Sequence, residues 1–198
     1  MEVLRKMDKN TFVEYIKPAL VLVIICFVSS FALSETYTIT KPTIEKNAKI
    51  AADKARMVVM PKGDSFTEYT GKLNPAVFDY YIAKNKVGAA ITASAPSYGG
   101  TIKVMVGVNA DGTIEGVTVT SHADTPGLGT KAMTPEYLSI YKGKTINEVV
   151  PDKGSIGTDS IKKNTNLNAI SGATVSSNGI YHSVQAALAQ FEATGGVK

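Results

Sequence analysis

Cysteine is nearly absent from this chain. Of 198 residues only Cys26 is a cysteine, so no disulfide framework and no cysteine-based metal or iron–sulfur centre can form within it. Histidine is almost as scarce. His122 and His182 are too few for a histidine-rich metal site, and we expect no metal centre. Basic blocks are missing too: the net charge of +4 is thinly spread, which argues against a nucleic-acid partner. There is no phosphate-binding G-x-x-x-x-G-K, no G-x-S-x-G nucleophile turn and no H-E-x-x-H pair. What is present is a globular composition with an apolar excess, 44% hydrophobic against 19% charged. That length supports one domain with its own core and a short appendage.

The apolar excess is concentrated near the start. From Pro18 to Ser34 no residue is charged, and Ala19 to Leu33 is an almost unbroken apolar run. With Ile16 it reaches the lower limit of the roughly 17–25 residues that span a bilayer. Upstream lie Arg5, Lys6, Lys9 and Lys17; the first basic residue downstream is Lys41. By the positive-inside rule the N-terminus is cytoplasmic and the main domain lies outside. A cleaved signal peptide is the rival reading, with Ser30-Phe31-Ala32 as its cleavage site. The long, acid-containing flank (Glu2, Asp8, Glu14) favours an uncleaved anchor.

Beyond the run, Thr43 can cap a helix from about Ile44 to Met60, stopped by Pro61 and Gly63. Strand patterns follow at Val77 to Ala83, Val87 to Ala95, Thr101 to Asn109 and Thr113 to Thr120. Asp111-Gly112 is a hairpin turn and Gly116 an expected bulge. Thr134-Pro135 opens a short helix closed by Gly143, and residues 151 to 166 read as polar loop. A final helix from about Ser177 to Phe191 carries the stripe Ile180, Val184, Ala187, Leu188 and Phe191. Helices on one antiparallel sheet make an α+β domain. We divide the chain into an N-terminal segment (1–17), a transmembrane helix (18–34), a connecting helix and linker (35–75) and the main domain (76–198).

Two segments carry chemistry. Ser171-Gly172-Ala173-Thr174-Val175-Ser176-Ser177-Asn178-Gly179 runs into the last helix. Free amides and the positive dipole end of a helix favour an anion there, and Gly172 and Ala173 leave room for a phosphate beside the Thr174 hydroxyl. A plain helix cap by Ser176 or Ser177 explains the same string, and both readings stand on the residues alone. The second segment, His122-Ala123-Asp124-Thr125-Pro126-Gly127-Leu128-Gly129, is a stiff, backbone-exposing loop at a strand end, a common seat for flat ligands. His122 and Asp124 could also form an acid–base pair, although a histidine capped by its own loop is the simpler account. Gly127 to Ala132 fits G-x-G-x-x-A, but the loop separates it from its strand, and Thr134-Pro135 interrupts any long helix behind it. A dinucleotide fold is therefore not expected.

Together SGATVSS, HADTPGLG, and Tyr98-Gly99-Gly100 ahead of TIKVMVGV resemble the FMN-binding domain of two membrane complexes. These are the G subunit of the Rnf complex and the C subunit of the sodium-pumping NADH:quinone oxidoreductase. The short spacing between motifs resembles the former. The resemblance implies a membrane-anchored FMN-binding domain that relays electrons in an ion-translocating ferredoxin:NAD oxidoreductase, without catalysis of its own. It implies FMN joined to Thr174 by a phosphoester, put there by a flavin transferase, with other membrane subunits as partners. By position, Ser171, Gly172, Ala173 and Ser176 accompany Thr174 at the phosphate. His122, Asp124, Thr125, Gly127 and Leu128 become candidate ring or phosphate neighbours. Two positions depart from the family: Asn168 stands where Asp is usual in the transferase's recognition pattern, and Asp124 where Glu is usual. The alternatives are the FMN subunit of a Na+-translocating NADH:quinone oxidoreductase and a membrane-anchored assembly module without flavin.

Overall fold

A computed structural model of the protein describes residues 9–150, 152, 154 and 156–197. The first eight residues, Pro151, Lys153 and Ser155 of the polar loop, and Lys198 lie outside the described residues. The upstream basic residues Arg5 and Lys6 are among them. Two compact units are present, one through Ile50 and one from Ala51 onward.

The first element, α1 (Lys9–Val59), is one continuous 51-residue helix. The sequence pattern splits it into an anchor and a second helix capped by Thr43. The chain instead stays helical through Pro18 and Pro42. A proline removes one helical hydrogen bond, a loss that a helix this long absorbs. Near Pro42 the hydroxyls of Thr36, Thr38 and Thr40 bond back to the carbonyls of Ala32, Ser34 and Thr36. The segment is long and apolar enough to cross a membrane, and none of its apolar window is buried in the protein. The expected stop ahead of Pro61 holds.

Five strands follow in chain order: β1 (Phe66–Glu68), β2 (Val77–Ala83), β3 (Gly88–Ser97), β4 (Gly100–Asn109) and β5 (Ile114–Ser121). All neighbours pair antiparallel, giving a simple meander. Ile91 faces Val106, and Val106 faces Val117. The register slips between Gly107–Gly116 and Val108–Ile114, so Glu115 is the extra residue of the bulge expected at its neighbour Gly116. β1 is a three-residue edge strand, too short to show an alternating pattern in the sequence.

Helix α4 (Thr174–Ala193) lies on β3 and β4. Its buried stripe Ile180, Val184, Ala187, Leu188 and Phe191 meets Ile91, Ile102, Val104, Val106 and Val108. At about 1.5–3 kcal/mol per fully buried aliphatic side chain this is the main source of the domain's stability. On the other sheet face the end of α1 packs Val59 and Met60 onto Ala90 and Met105. Arg56 there stacks 3.6 Å over the Tyr81 ring. The short helices α2 (Pro135–Leu138) and α3 (Ile146–Val149) close the sides, α2 opening at the expected Thr134-Pro135.

The segment from Ile156 to Asn166 is pinned to α4 by polar side chains. Gly157 N–H donates to Gln185 Oε1 at 2.9 Å, and Ile161 N–H to Asn178 Oδ1 at 3.0 Å. His182 Nε2 lies 2.6 Å from the Asp159 carbonyl oxygen, so this histidine also serves to hold the loop.

Candidate functional site

Three segments, far apart in the chain, converge at the N-terminal end of α4. They are the β3–β4 turn, the 122–129 loop and the residues leading into the helix. Between them lies a cleft of about 430 Å³, lined by Tyr98, Thr125, Leu128, Gly129 and residues 172–176.

The helix begins at Thr174, three residues earlier than its apolar pattern indicates. Gly172, at φ +79°, turns the chain, and the Ser177 N–H closes the first turn onto the Ala173 carbonyl at 2.9 Å. Ser176 and Ser177 are therefore inside the helix and buried, which removes the capping role considered for them. The residue at the cap position is Ala173, which offers no side-chain acceptor. Among the described residues, the amides of Thr174, Val175 and Ser176 have no partner, nor does the Thr174 hydroxyl. A 20-residue helix thus points three free N–H donors and one free hydroxyl at the cleft.

The two buried serines hold the surroundings instead. Ser177 Oγ accepts the Ile170 N–H at 3.2 Å. The Ser176 hydroxyl stands beside the Asp124 carboxylate and favours its charged form. Asp124 is only 3% exposed. It accepts the Ser97 hydroxyl at 2.5 Å and the Gly99 N–H at 2.6 Å. One carboxylate therefore ties the β3–β4 turn to its own loop, against the first turn of α4. Burial pushes its pKa up. The Ser176 and Ser97 hydroxyls, the Gly99 N–H and the pull of His122 outweigh this, leaving it below the usual carboxylate value. The packing is close: a Cβ on Gly129 would stand 2.7 Å from both Asp124 Cβ and Ser176 Oγ.

The mouth of the cleft is apolar. Tyr98 is 75% exposed, Leu128 56% and Val175 51%, unusual values for large apolar side chains gathered around one opening. Thr125 accepts the N–H groups of Leu128 and Gly129 on its carbonyl, at 3.2 and 3.1 Å, which sets the Leu128 corner.

Of the residues singled out in the sequence, the cleft wall gathers Thr125, Leu128, Gly172, Ala173, Thr174 and Ser176. His122, Gly127 and Ser171 are exposed and do not line it, and Asp124 lies behind the wall. Gly127 shapes the loop, with φ +75° and its N–H on Thr130 Oγ1 at 2.8 Å. Tyr98, Gly129 and Val175 also line the cleft. Each stands inside a motif quoted from the sequence, although none is singled out there as a site residue. No cluster of metal-ligating side chains occurs among the described residues.

Residues 97–189, which include every part of this cleft, match the FMN-binding domain family. Curated relatives extend the likeness over most of the chain. The G subunit of the proton-translocating ferredoxin:NAD(+) oxidoreductase complex of Clostridium ljungdahlii is 32% identical over 173 residues, covering 85% of this chain and 87% of that protein. The G subunit of the ion-translocating oxidoreductase complex of Methanosarcina acetivorans is 29% identical, covering 88% and 93%. Its counterpart in the Na(+)-translocating ferredoxin:NAD(+) oxidoreductase complex of Acetobacterium woodii is 29% identical, covering 89% and 91%.

Proposed function

The chain belongs to the G-subunit family of ion-translocating ferredoxin:NAD(+) oxidoreductase complexes, and we propose that it relays electrons there through FMN bonded to Thr174. The observation that carries this reading is the free Thr174 hydroxyl. It stands on the first residue of α4, beside three unpartnered amides and inside the cleft.

The residues present fit FMN. The phosphate end of the cofactor suits the uncapped helix N-terminus, where N–H donors and dipole favour an anion without a basic side chain. Its flat ring suits the apolar mouth formed by Tyr98, Leu128 and Val175. Thr125 and Gly129 complete the wall, and Asp124 fixes the turn that carries Tyr98. When bound, FMN supplies the redox chemistry, and the protein sets its position and surroundings.

Attachment is a phosphoryl-type transfer from FAD by a flavin transferase. Thr174 Oγ1 forms the ester bond to phosphorus and loses its proton, the P–O–P bond of FAD breaks, and AMP leaves. Ser171 and Asn168 are exposed just ahead of the helix, where a transferase can read them. The Asn168 side chain has no partner among the described residues; only its carbonyl is used, by the Tyr137 hydroxyl at 2.9 Å. Asn168 in place of the usual Asp is the feature that favours the second reading, an assembly module left without flavin.

The apolar helix, the one long enough to span a membrane among the described residues, makes this a membrane-anchored subunit whose partners are the other subunits of its complex. In our reading the N-terminus is cytoplasmic and the FMN domain extracytoplasmic. Electrons pass between ferredoxin and NAD(+) through partner subunits, and this chain turns over no substrate alone.

The test is to co-express the full chain with a flavin transferase and run it on a denaturing gel. Wild type keeps flavin fluorescence and Thr174→Ala loses it. A fluorescent Thr174→Ala band would place the bond elsewhere. A dark wild-type band would favour the assembly module.

A further inference from the structure

The cleft has an uncharged wall, since none of its lining residues is acidic or basic. Immediately behind that wall is Asp124. Its Oδ2 lies 3.1 Å from where a Cβ on Gly129 would stand, and Ser176 Oγ lies 2.7 Å from that same point. Gly129 and Ser176 are themselves cleft residues, so a single layer of small side chains separates the carboxylate from the space. Among the described residues Asp124 forms no ion pair. Its polar neighbours are the Ser97 and Ser176 hydroxyls and the Gly99 N–H, and His122 is the nearby titratable group. The charge is hydrogen-bonded but not neutralised by a lysine or arginine.

We propose that Asp124 is a positioning residue that also acts electrostatically, its buried negative charge making FMN in the cleft a stronger reductant than a neutral residue there would. This rests on the reading that FMN occupies the cleft. Two electrons from the ferredoxin side of the complex and one proton from water convert oxidised FMN to its anionic reduced form. That form carries one more negative charge on the ring. A fixed anion buried one layer of small side chains behind the cleft wall, where solvent screens it poorly, disfavours that form. The charges beside a cofactor are among the protein's means of setting its potential. The same carboxylate holds the Tyr98 turn, so it orients one wall of the cleft and biases its contents.

The experiment is a redox titration of the full-length protein, co-expressed with the transferase and purified in detergent. Wild type, Asp124→Asn and Ser97→Ala are compared at equal flavin content. Asp124→Asn removes the charge but keeps an acceptor oxygen for Gly99 or Ser97, and its midpoint potential rises. Ser97→Ala removes one tie but keeps the charge, and its potential moves much less. An unmoved or lowered potential in Asp124→Asn overturns the proposal, as does an equal rise in Ser97→Ala. A second measurement needs only wild type: caesium quenches the bound flavin's fluorescence better, relative to iodide, than it quenches free FMN. Equal or reversed selectivity overturns the proposal even where the Asn variant fails to hold flavin. Wild type without flavin overturns the FMN reading itself, whereas flavin with an unmoved potential overturns only the role given to Asp124.

Discussion

Replacing Asp124 with alanine removes the side chain that ties the β3–β4 turn to the 122–129 loop against the start of α4. The carboxylate accepts Ser97 Oγ at 2.5 Å and Gly99 N–H at 2.6 Å. A hydrogen bond to a charged group contributes about 1.5–3 kcal/mol. Gly99 is exposed, so water replaces its lost partner; Ser97 is half-buried and recovers less. The cost therefore falls between that of one bond and that of two, about 3 kcal/mol. For a chain of this size that corresponds to a fall in Tm of about 6–12 °C. The assay is thermal unfolding followed by circular dichroism, with Ser97→Ala and the double variant completing a cycle. A coupling of about 1–2 kcal/mol is expected for two groups in direct contact. The pH dependence follows from the sign of the shift. The folded-state pKa of Asp124 is depressed. Its contribution is therefore fully present above the unfolded value of about 3.9 and is lost as pH falls through the lower folded value. The Tm gap between wild type and Asp124→Ala stays constant from about pH 7 to pH 5 and narrows below about pH 4. A shift under about 2 °C at pH 7, or a gap that widens in acid, would refute the strut.

Three further outcomes follow from the same geometry. Gly129→Ala drives a Cβ to 2.7 Å from Asp124 Cβ and Ser176 Oγ; overpacking of this kind costs about 1–3 kcal/mol, read as a lower Tm and reduced flavin loading. Asn168→Asp changes an exposed side chain without partners among the described residues; stability stays within about 0.5 kcal/mol, while flavin occupancy in the co-expressed protein rises. Gln185→Leu removes the side chain that accepts the Gly157 N–H and donates to the Val149 carbonyl and the Asp159 carboxylate; losing these bonds, one to a charged group and one to a buried carbonyl, costs about 1–3 kcal/mol, so tryptic cleavage after Lys162 or Lys163 quickens by roughly tenfold or more.

Much of the domain was legible in the chain because its pattern is strongly periodic. The alternation of Ile102, Val104, Val106 and Val108, and the α4 stripe from Ile180 to Phe191, are the two faces of one core, and all of these residues are buried. The short turn at Asp111-Gly112 joins β4 to β5 as expected. The start of α4 was hidden because Thr174, Ser176 and Ser177 are polar and read as a loop. Their hydroxyls serve other segments or the cleft, and neither buried serine caps its own helix. Pro42 marks a break in local propensity, yet the helix continues through it. Asp124 reads in the sequence as a ligand neighbour. Only the folded chain, which brings Ser97, Gly99 and Ser176 around it, shows that the carboxylate is engaged with the protein. Tyr98 and Val175 stand in the quoted motifs, but it is the convergence of segments that brings them to one opening.

The central claim is a covalent bond at one oxygen atom. Its most direct test is the intact mass of the full chain isolated from the membrane of cells that make the transferase, with the peptide following Lys163 mapped by fragmentation. The expected result is an increase equal to one FMN less one water, located on Thr174. An unmodified mass, or the same increment on any other residue, would contradict it.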